Sequence, residues 1–361
     1  MHPADSLIVR ALRASLPLAT LRMSEWDLLI RQGRKAGLLA RLHWQWTQAD
    51  QIKQVPEQVL AHLLSARVIA DKQALAVRWE VAQIRTTLLP TGVPLTLLKG
   101  AAYCLSGLAA GRGRVFSDVD ILVPKTHIAL VESTLKMRGW VATQHDAYDQ
   151  RYYRNWMHEI PPLVHLKRLS VIDVHHAILP ETARLKPDPA LLLAAVQAIP
   201  GEPALFTLAP ADMVLHSASH LFCGEFEHGL RDLSDINLLL REFSLTEGFW
   251  EGLVPRAQSL DLARPLYYAL YWAVQLFATP VPPWVLREID ACTRPRTPVK
   301  ALMNTLLQRA LAPDHASCRD ALSAPARGLL YARAHWLRMP AYLLAYHLAH
   351  KALFPPRVAA N

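Results

Sequence analysis

Asp118 and Asp120 flank Val119 at the head of an apolar run, Ile121-Leu122-Val123. Side chains alternate along a β-strand, so carboxylates at i and i+2 point to one face. Two like charges held that close repel. They need a cation between them, a shared proton or full solvation. Paired carboxylates aimed at one point suit Mg²⁺ or Mn²⁺, hard cations that take oxygen ligands. The bland alternative is a polar strand edge facing water. A third acid, Asp173, interrupts the apolar run Val171-Ile172-Asp173-Val174-His175. A carboxylate there is costly to bury unless paired or metal-bound.

The elements that must position these acids follow from the flanking sequence. Residues 93–100 read as an apolar strand ending in Lys99-Gly100, and residues 101–110 as a short helix. A Gly-Arg-Gly-Arg turn at 111–114 leads into the Asp118-Val119-Asp120 strand, preceded by Ser117. A helix over 126–138 follows, with Thr126 as cap and Gly139 as stop. Residues 163–166 and 171–175 read as a hairpin joined by a basic turn. Glycine at a strand-to-helix turn lets backbone approach a ligand, and a helix N-terminus offers free N–H groups to phosphate. Lys99 and Arg114 add cations on either side; Lys99 can instead pair with an aspartate. Ser117 can hydrogen-bond a phosphate, although Ser beside Asp is also a common turn pair. His175 shares the face of Asp173, where it can touch the acceptor or simply be hydrogen-bonded in place.

Three stretches together resemble the nucleotidyltransferase superfamily typified by DNA polymerase β: Leu98-Lys99-Gly100, Arg114 with Asp118 to Val123, and Ile172-Asp173-Val174-His175. Within it the chain is most similar to an uncharacterised bacterial nucleotidyltransferase family. Trp26-Asp27-Leu28-Leu29 and the stretches 212–220 and 230–236 extend the resemblance, which covers roughly residues 20–245. Many superfamily members carry Gly-Gly or Gly-Ser at the turn. Here Lys99-Gly100-Ala101 leaves phosphate contact to backbone N–H groups and the Lys99 ammonium.

The resemblance implies an α+β fold: a nucleotidyltransferase-type mixed β-sheet core flanked by N-terminal helices and a C-terminal helical bundle. The implied divisions are 1–90, 91–183 and 184–361. It also implies transfer of an NMP, most simply AMP, from an NTP to a hydroxyl acceptor: a small molecule, RNA or a protein. Asp118, Asp120 and Asp173 are the implied metal ligands and catalytic acids, with Lys99, Gly100, Arg114 and Ser117 at the nucleotide. The competing reading is a non-catalytic nucleotide-, RNA- or protein-binding member of the same fold. Neither a G-x-x-x-x-G-K-[ST] loop nor a kinase motif set is present, which disfavours unrelated phosphotransfer.

The remaining features set outer bounds. With 361 residues, 52% hydrophobic and 19% charged, the chain is long enough for one large or two modest cores. A formal charge of +9 favours acidic partners: nucleotides, nucleic acid or an anionic membrane surface. Four widely spaced cysteines form no zinc or disulfide pattern, and the N-terminus lacks a signal-peptide pattern; together they place the chain in the cytoplasm. His216 and His220 have i, i+4 zinc-compatible spacing, but the glutamate of H-E-x-x-H is absent. Arg231 can approach a nucleotide phosphate or pair with Asp235 one turn on.

Helical apolar spacing spans 4–17, 24–48 and 56–88, with Asp5 and Ser24 as caps. The polar, aromatic stretch 144–156 reads as an acceptor-pocket lining or, more commonly, as a strand pair with cross-strand aromatic contacts. Residues 262–281 read as a buried helix, since a span needs about 20 apolar residues. Residues 329–354 read as a packed amphipathic helix pair, favoured over a peripheral membrane contact.

Overall fold

The computed structural model describes residues 5–143, 147–294 and 296–346. Its first four helices are α1 (Leu7–Leu12), α2 (Met23–Ala36), α3 (Leu39–Gln48) and α4 (Glu57–Leu88). The apolar periodicity of 24–48 is split because Gly37 takes φ +67° and closes α2, the left-handed stop that glycine adopts without steric cost. Asp5 and Ser24 do not cap. Ser6 and Arg22 hold those positions, and Glu25 at the third helical position accepts the Arg22 backbone N–H at 3.0 Å.

The middle of the chain alternates strands and helices: β1 (Leu95–Leu97), α5 (Lys99–Leu105), β2 (Val119–Leu122), α6 (Ile128–Met137), β3 (Trp140–Ala142), α7 (Ala147–Trp156), β4 (Leu163–His165) and β5 (Val171–His175). Then come α8 (Pro189–Ala194), β6 (Gln197–Ala198) and β7 (Leu205–Thr207). All seven strands join one mixed sheet, ordered β3-β4-β5-β2-β1-β7-β6, so the fold is α+β. β2 is central, antiparallel to β1 and parallel to β5, and each of its four residues is buried. Such a strand is covered on both faces and reads as a continuous apolar run, which makes Asp120 conspicuous within it.

Several local expectations change. The stretch before residue 157 is the helix α7, not a strand pair. Tyr152 and Trp156 lie one turn apart with ring centroids 5.8 Å apart, a same-face spacing that favours a helix. Residues 144–146, His145 among them, lie outside the described residues. A 3-10 turn, Lys125–His127, precedes α6, so His127 rather than Thr126 takes the cap position. Gly139 ends that region with φ +93°, as its position suggests. Strands β3, β6 and β7 hold two or three residues each, too few to show a period-2 pattern.

The C-terminal helices are α9 (Pro210–Phe222), α10 (Gly229–Phe243), α11 (Phe249–Ser259), α12 (Ala263–Phe277), α13 (Pro283–Thr293), α14 (Thr297–Ala310) and α15 (Ser323–Arg338). α12 is largely buried, and among the described residues no helix is long and apolar enough to cross a membrane. α15 buries Leu330, Ala334 and Leu337 while Leu329, Tyr331 and Trp336 stay exposed. Residues 347–354, the end of the stretch read as a helix pair, lie outside the described residues. One apolar core runs from Ile8 through Ile121 and Leu233 to Leu330, tying the helices to the sheet.

Candidate active site

The three aspartates converge because of strand register. Asp120 on β2 pairs with Asp173 on β5 in the parallel ladder, and paired residues of adjacent strands share a face. Asp118 lies two residues before Asp120, on the approach to β2. One carboxylate oxygen from each of the three lies within 4.8 Å of the others. Asp120 is buried; Asp118 and Asp173 are half-buried.

The charges are unevenly balanced. Burial alone would raise the Asp120 carboxyl, but the Lys99 ammonium and a hydrogen bond from His175 hold it well below the ordinary carboxylate range. Lys99 Nζ is 3.3 Å from Asp120 Oδ1, and His175 Nε2 is 3.0 Å from the same oxygen. Burial, and then the charge on Asp120, push Asp118 upward. Asp173 is pushed up to about 7, first by burial and then by Asp120 and Glu159. Its Oδ1 is buried and accepts no hydrogen bond among the described residues. An orphaned buried oxygen calls for a partner, and three convergent carboxylates form an oxygen donor set suited to Mg²⁺ or Mn²⁺.

Lys99 does not end a strand; it opens α5 with φ +43°. That conformation costs a non-glycine residue about 1–2 kcal/mol. Leu98 N donates to Asp120 O at 3.0 Å, pinning the turn to β2. Despite burial, Asp120 and then Asp118 keep the Lys99 ammonium charged beyond its ordinary range. Gly100 is needed for packing: a Cβ there would lie 2.8 Å from the Phe116 ring, with the Arg114 guanidinium closer still. Ser117 is exposed and donates to Asp118 Oδ1 at 3.0 Å, the Ser-Asp pair.

Arg114 has a different partner from the one expected. Its Nε donates to Asp235 Oδ2 at 2.9 Å, and Arg41 Nη1 lies 2.6 Å from Asp235 Oδ1. Arg41 is fully buried and also reaches Ser234 Oγ at 3.0 Å and the Ala110 carbonyl at 2.6 Å. This cluster ties α3, the 111–114 turn and α10 together. Asp235 therefore pairs with Arg41 and Arg114, while Arg231 bonds Asp232 at 2.9–3.0 Å. Gly113, with φ +62°, fits against α3, where a Cβ would lie 2.5 Å from Arg41 N.

His216 is buried on α9, and burial followed by the Lys99 charge lowers its pKa to about 3. His220 is more exposed and lines a cavity with Arg231 and Arg338. Its pKa is depressed, first by Lys99. Among the described residues, neither histidine belongs to a group of three or more metal-ligating side chains.

Sequence reasoning missed Glu159. Its carboxylate lies 3.2 Å from His175 Nδ1, so His175 stands between Glu159 and Asp120. The contact arises because the strand-like segment at Glu159 bridges His175, a pairing that no local spacing announces. Arg41 was missed for the same reason. Beyond Asp118 opens a cavity of about 330 Å³, walled by Gln73, Trp79, Phe116, Arg168 and Val171.

A mixed sheet with three convergent carboxylates, two on adjacent strands and one just before them, beside a paired lysine fits the nucleotidyltransferase class. Residues 22–278 match the family model described as "Uncharacterised nucleotidyltransferase", and the chain belongs to that family. No curated protein and no solved structure matches the chain.

Proposed function

We propose that the protein transfers an NMP, most simply AMP, from an NTP to an acceptor hydroxyl. The observation that carries this reading is the convergence of Asp118, Asp120 and Asp173, with the buried Asp173 Oδ1 left without a partner. The three carboxylates would hold Mg²⁺ or Mn²⁺. When bound, the cation neutralises the triphosphate and stabilises the attacking and departing oxygens.

The chain's own residues supply the rest. Lys99, already beside Asp120, would face the phosphates, with Ser117 and the backbone at Gly100 as further contacts. Asp173 would complete the metal site and help take the acceptor's proton. The acceptor oxygen bonds to the α-phosphorus, the bond from that phosphorus to the bridging oxygen breaks, and pyrophosphate leaves. The cavity beside Asp118 is of a size to take a nucleobase or a small acceptor. Arg114 supports the turn through Asp235, and Arg231, which lines a cavity with His220 and Arg338, would meet an extended phosphate chain. The acceptor is a small molecule, RNA or protein. The four free thiols support a reducing, cytoplasmic setting.

Calorimetry with each of the four NTPs and Mg²⁺ tests the reading, using wild type and the Asp118→Asn/Asp120→Asn double variant. Metal-dependent binding lost in the variant supports it. Folded wild type that binds no NTP would turn the assignment toward an RNA- or protein-binding member of the fold.

A further inference from the structure

A second donor set of different chemistry adjoins the three aspartates. One nitrogen from each of His158 and His175 and one carboxylate oxygen of Glu159 lie within 4.8 Å of one another. We propose that His158, Glu159 and His175 bind a divalent transition metal of the zinc class, at a site separate from the carboxylate cluster. Two imidazoles and one carboxylate make up a common zinc donor set that leaves a fourth position open. Mg²⁺ instead prefers oxygen ligands throughout.

The site is built rather than incidental. His176 N and Ala177 N both donate to the His158 carbonyl, at 2.8 and 3.3 Å, and Ile160 N donates to the Val174 carbonyl at 3.1 Å. The segment carrying His158 and Glu159 is thus laced to the end of β5, where His175 sits. Rigid backbone on both sides is what a metal site requires.

The nitrogens themselves point the same way. His175 is 3% exposed, and its Nδ1 is buried 3.2 Å from Glu159 Oε2 without hydrogen-bond geometry. Nδ1 of His158 is also buried with no partner among the described residues. Meanwhile Nε2 of His175 is engaged by Asp120 at 3.0 Å. A histidine that donates one ring N–H to a carboxylate presents the lone pair of its other nitrogen to a metal. An imidazolium bridging Asp120 and Glu159 would satisfy His175 but leave His158 Nδ1 orphaned. A metal ion accounts for both histidines. It would also fix the ring that bonds Asp120, linking the two sites without sharing a ligand.

The inference does not depend on nucleotidyl transfer. The full-length protein, freed of metal with a chelator, is titrated with Co²⁺ in excess Mg²⁺ and followed by visible absorption. The intense band of low-coordinate, nitrogen-ligated cobalt is expected in wild type and in Asp118→Asn/Asp173→Asn. Zn²⁺ should displace it. His158→Gln and Glu159→Gln, verified as folded by circular dichroism, should each abolish the band. The proposal is overturned if wild type shows only weak octahedral absorption. It is equally overturned if the band survives in both His158→Gln and Glu159→Gln, or disappears in Asp118→Asn/Asp173→Asn alone.

Discussion

Asp120 and Asp173 are register partners across the parallel strands β2 and β5, yet their carboxyls are driven in opposite directions. Asp120 is held charged by Lys99 and His175, whereas at Asp173 burial and the Asp120 and Glu159 charges outweigh His175 and push the carboxyl up to about 7. Of the two, Asp173 keeps a buried oxygen with no hydrogen-bond partner among the described residues, open to a cation or to the acceptor's proton. Asp173→Asn should therefore lower transfer by about 10²–10⁴-fold, with a smaller effect on NTP affinity. Single-turnover rates set beside calorimetry separate the two effects. Unchanged turnover would remove Asp173 from the chemistry.

Lys99 places its ammonium 3.3 Å from Asp120 Oδ1. Lys99→Met keeps most of the length and removes the charge. A charge-assisted contact contributes about 1.5–3 kcal/mol, so NTP affinity should fall by roughly 10–100-fold. Affinity equal to wild type would mean that the lysine only balances Asp120.

Asp235 faces two arginines from different parts of the chain, one of them fully buried. Removing its charge strands both guanidiniums. Asp235→Asn should cost about 3–5 kcal/mol of stability, read from the midpoint of urea unfolding. A loss under about 1 kcal/mol would show that the cluster behaves as an exposed pair.

Gly113 combines a left-handed φ of +62° with backbone of α3 where a Cβ would sit. Gly113→Ala should destabilise by about 2 kcal/mol or more, since strain and overlap add. Gly248 provides the control: its φ is +77°, but no atom lies within 4 Å of an added Cβ. Gly248→Ala should show strain alone, and equal losses at the two sites would contradict the packing argument.

Acid should weaken the fold through His216. Its imidazole is held neutral to about pH 3 in the native state, against an ordinary value of 6.5. Below pH 6.5 the unfolded chain takes up a proton that the native state refuses. The His216 contribution is thus constant above 6.5 and falls by about 1.4 kcal/mol per pH unit between 6.5 and about 3. His216→Asn should flatten that slope in urea titrations at pH 7 and pH 5. An unchanged slope would place the acid sensitivity elsewhere.

Much of the site is legible in the amino-acid sequence because its signals are local. Asp118 and Asp120 are two residues apart, Asp173 interrupts five residues of strand, and α6 ends at a glycine. Alternation and turn chemistry act within such short windows. The family relationship and the α+β class follow from the same compact motifs.

The partners of those residues are not legible there. Nothing near Arg114 indicates that it will meet Asp235, and nothing in Glu159 indicates His175. Strands of two or three residues, such as β6 and β7, bury too little to imprint a pattern, and their place beside β1 comes from the rest of the sheet. The sequence by itself determined which residues carry charge and which strand face they occupy. Only the tertiary structure decided which charges neutralise one another, because burial strengthens the pairing of ions brought together from distant parts of the chain. Lys99 was thereby paired with Asp120, Arg114 drawn into the scaffold, and Asp173 Oδ1 left without a hydrogen-bond partner among the described residues.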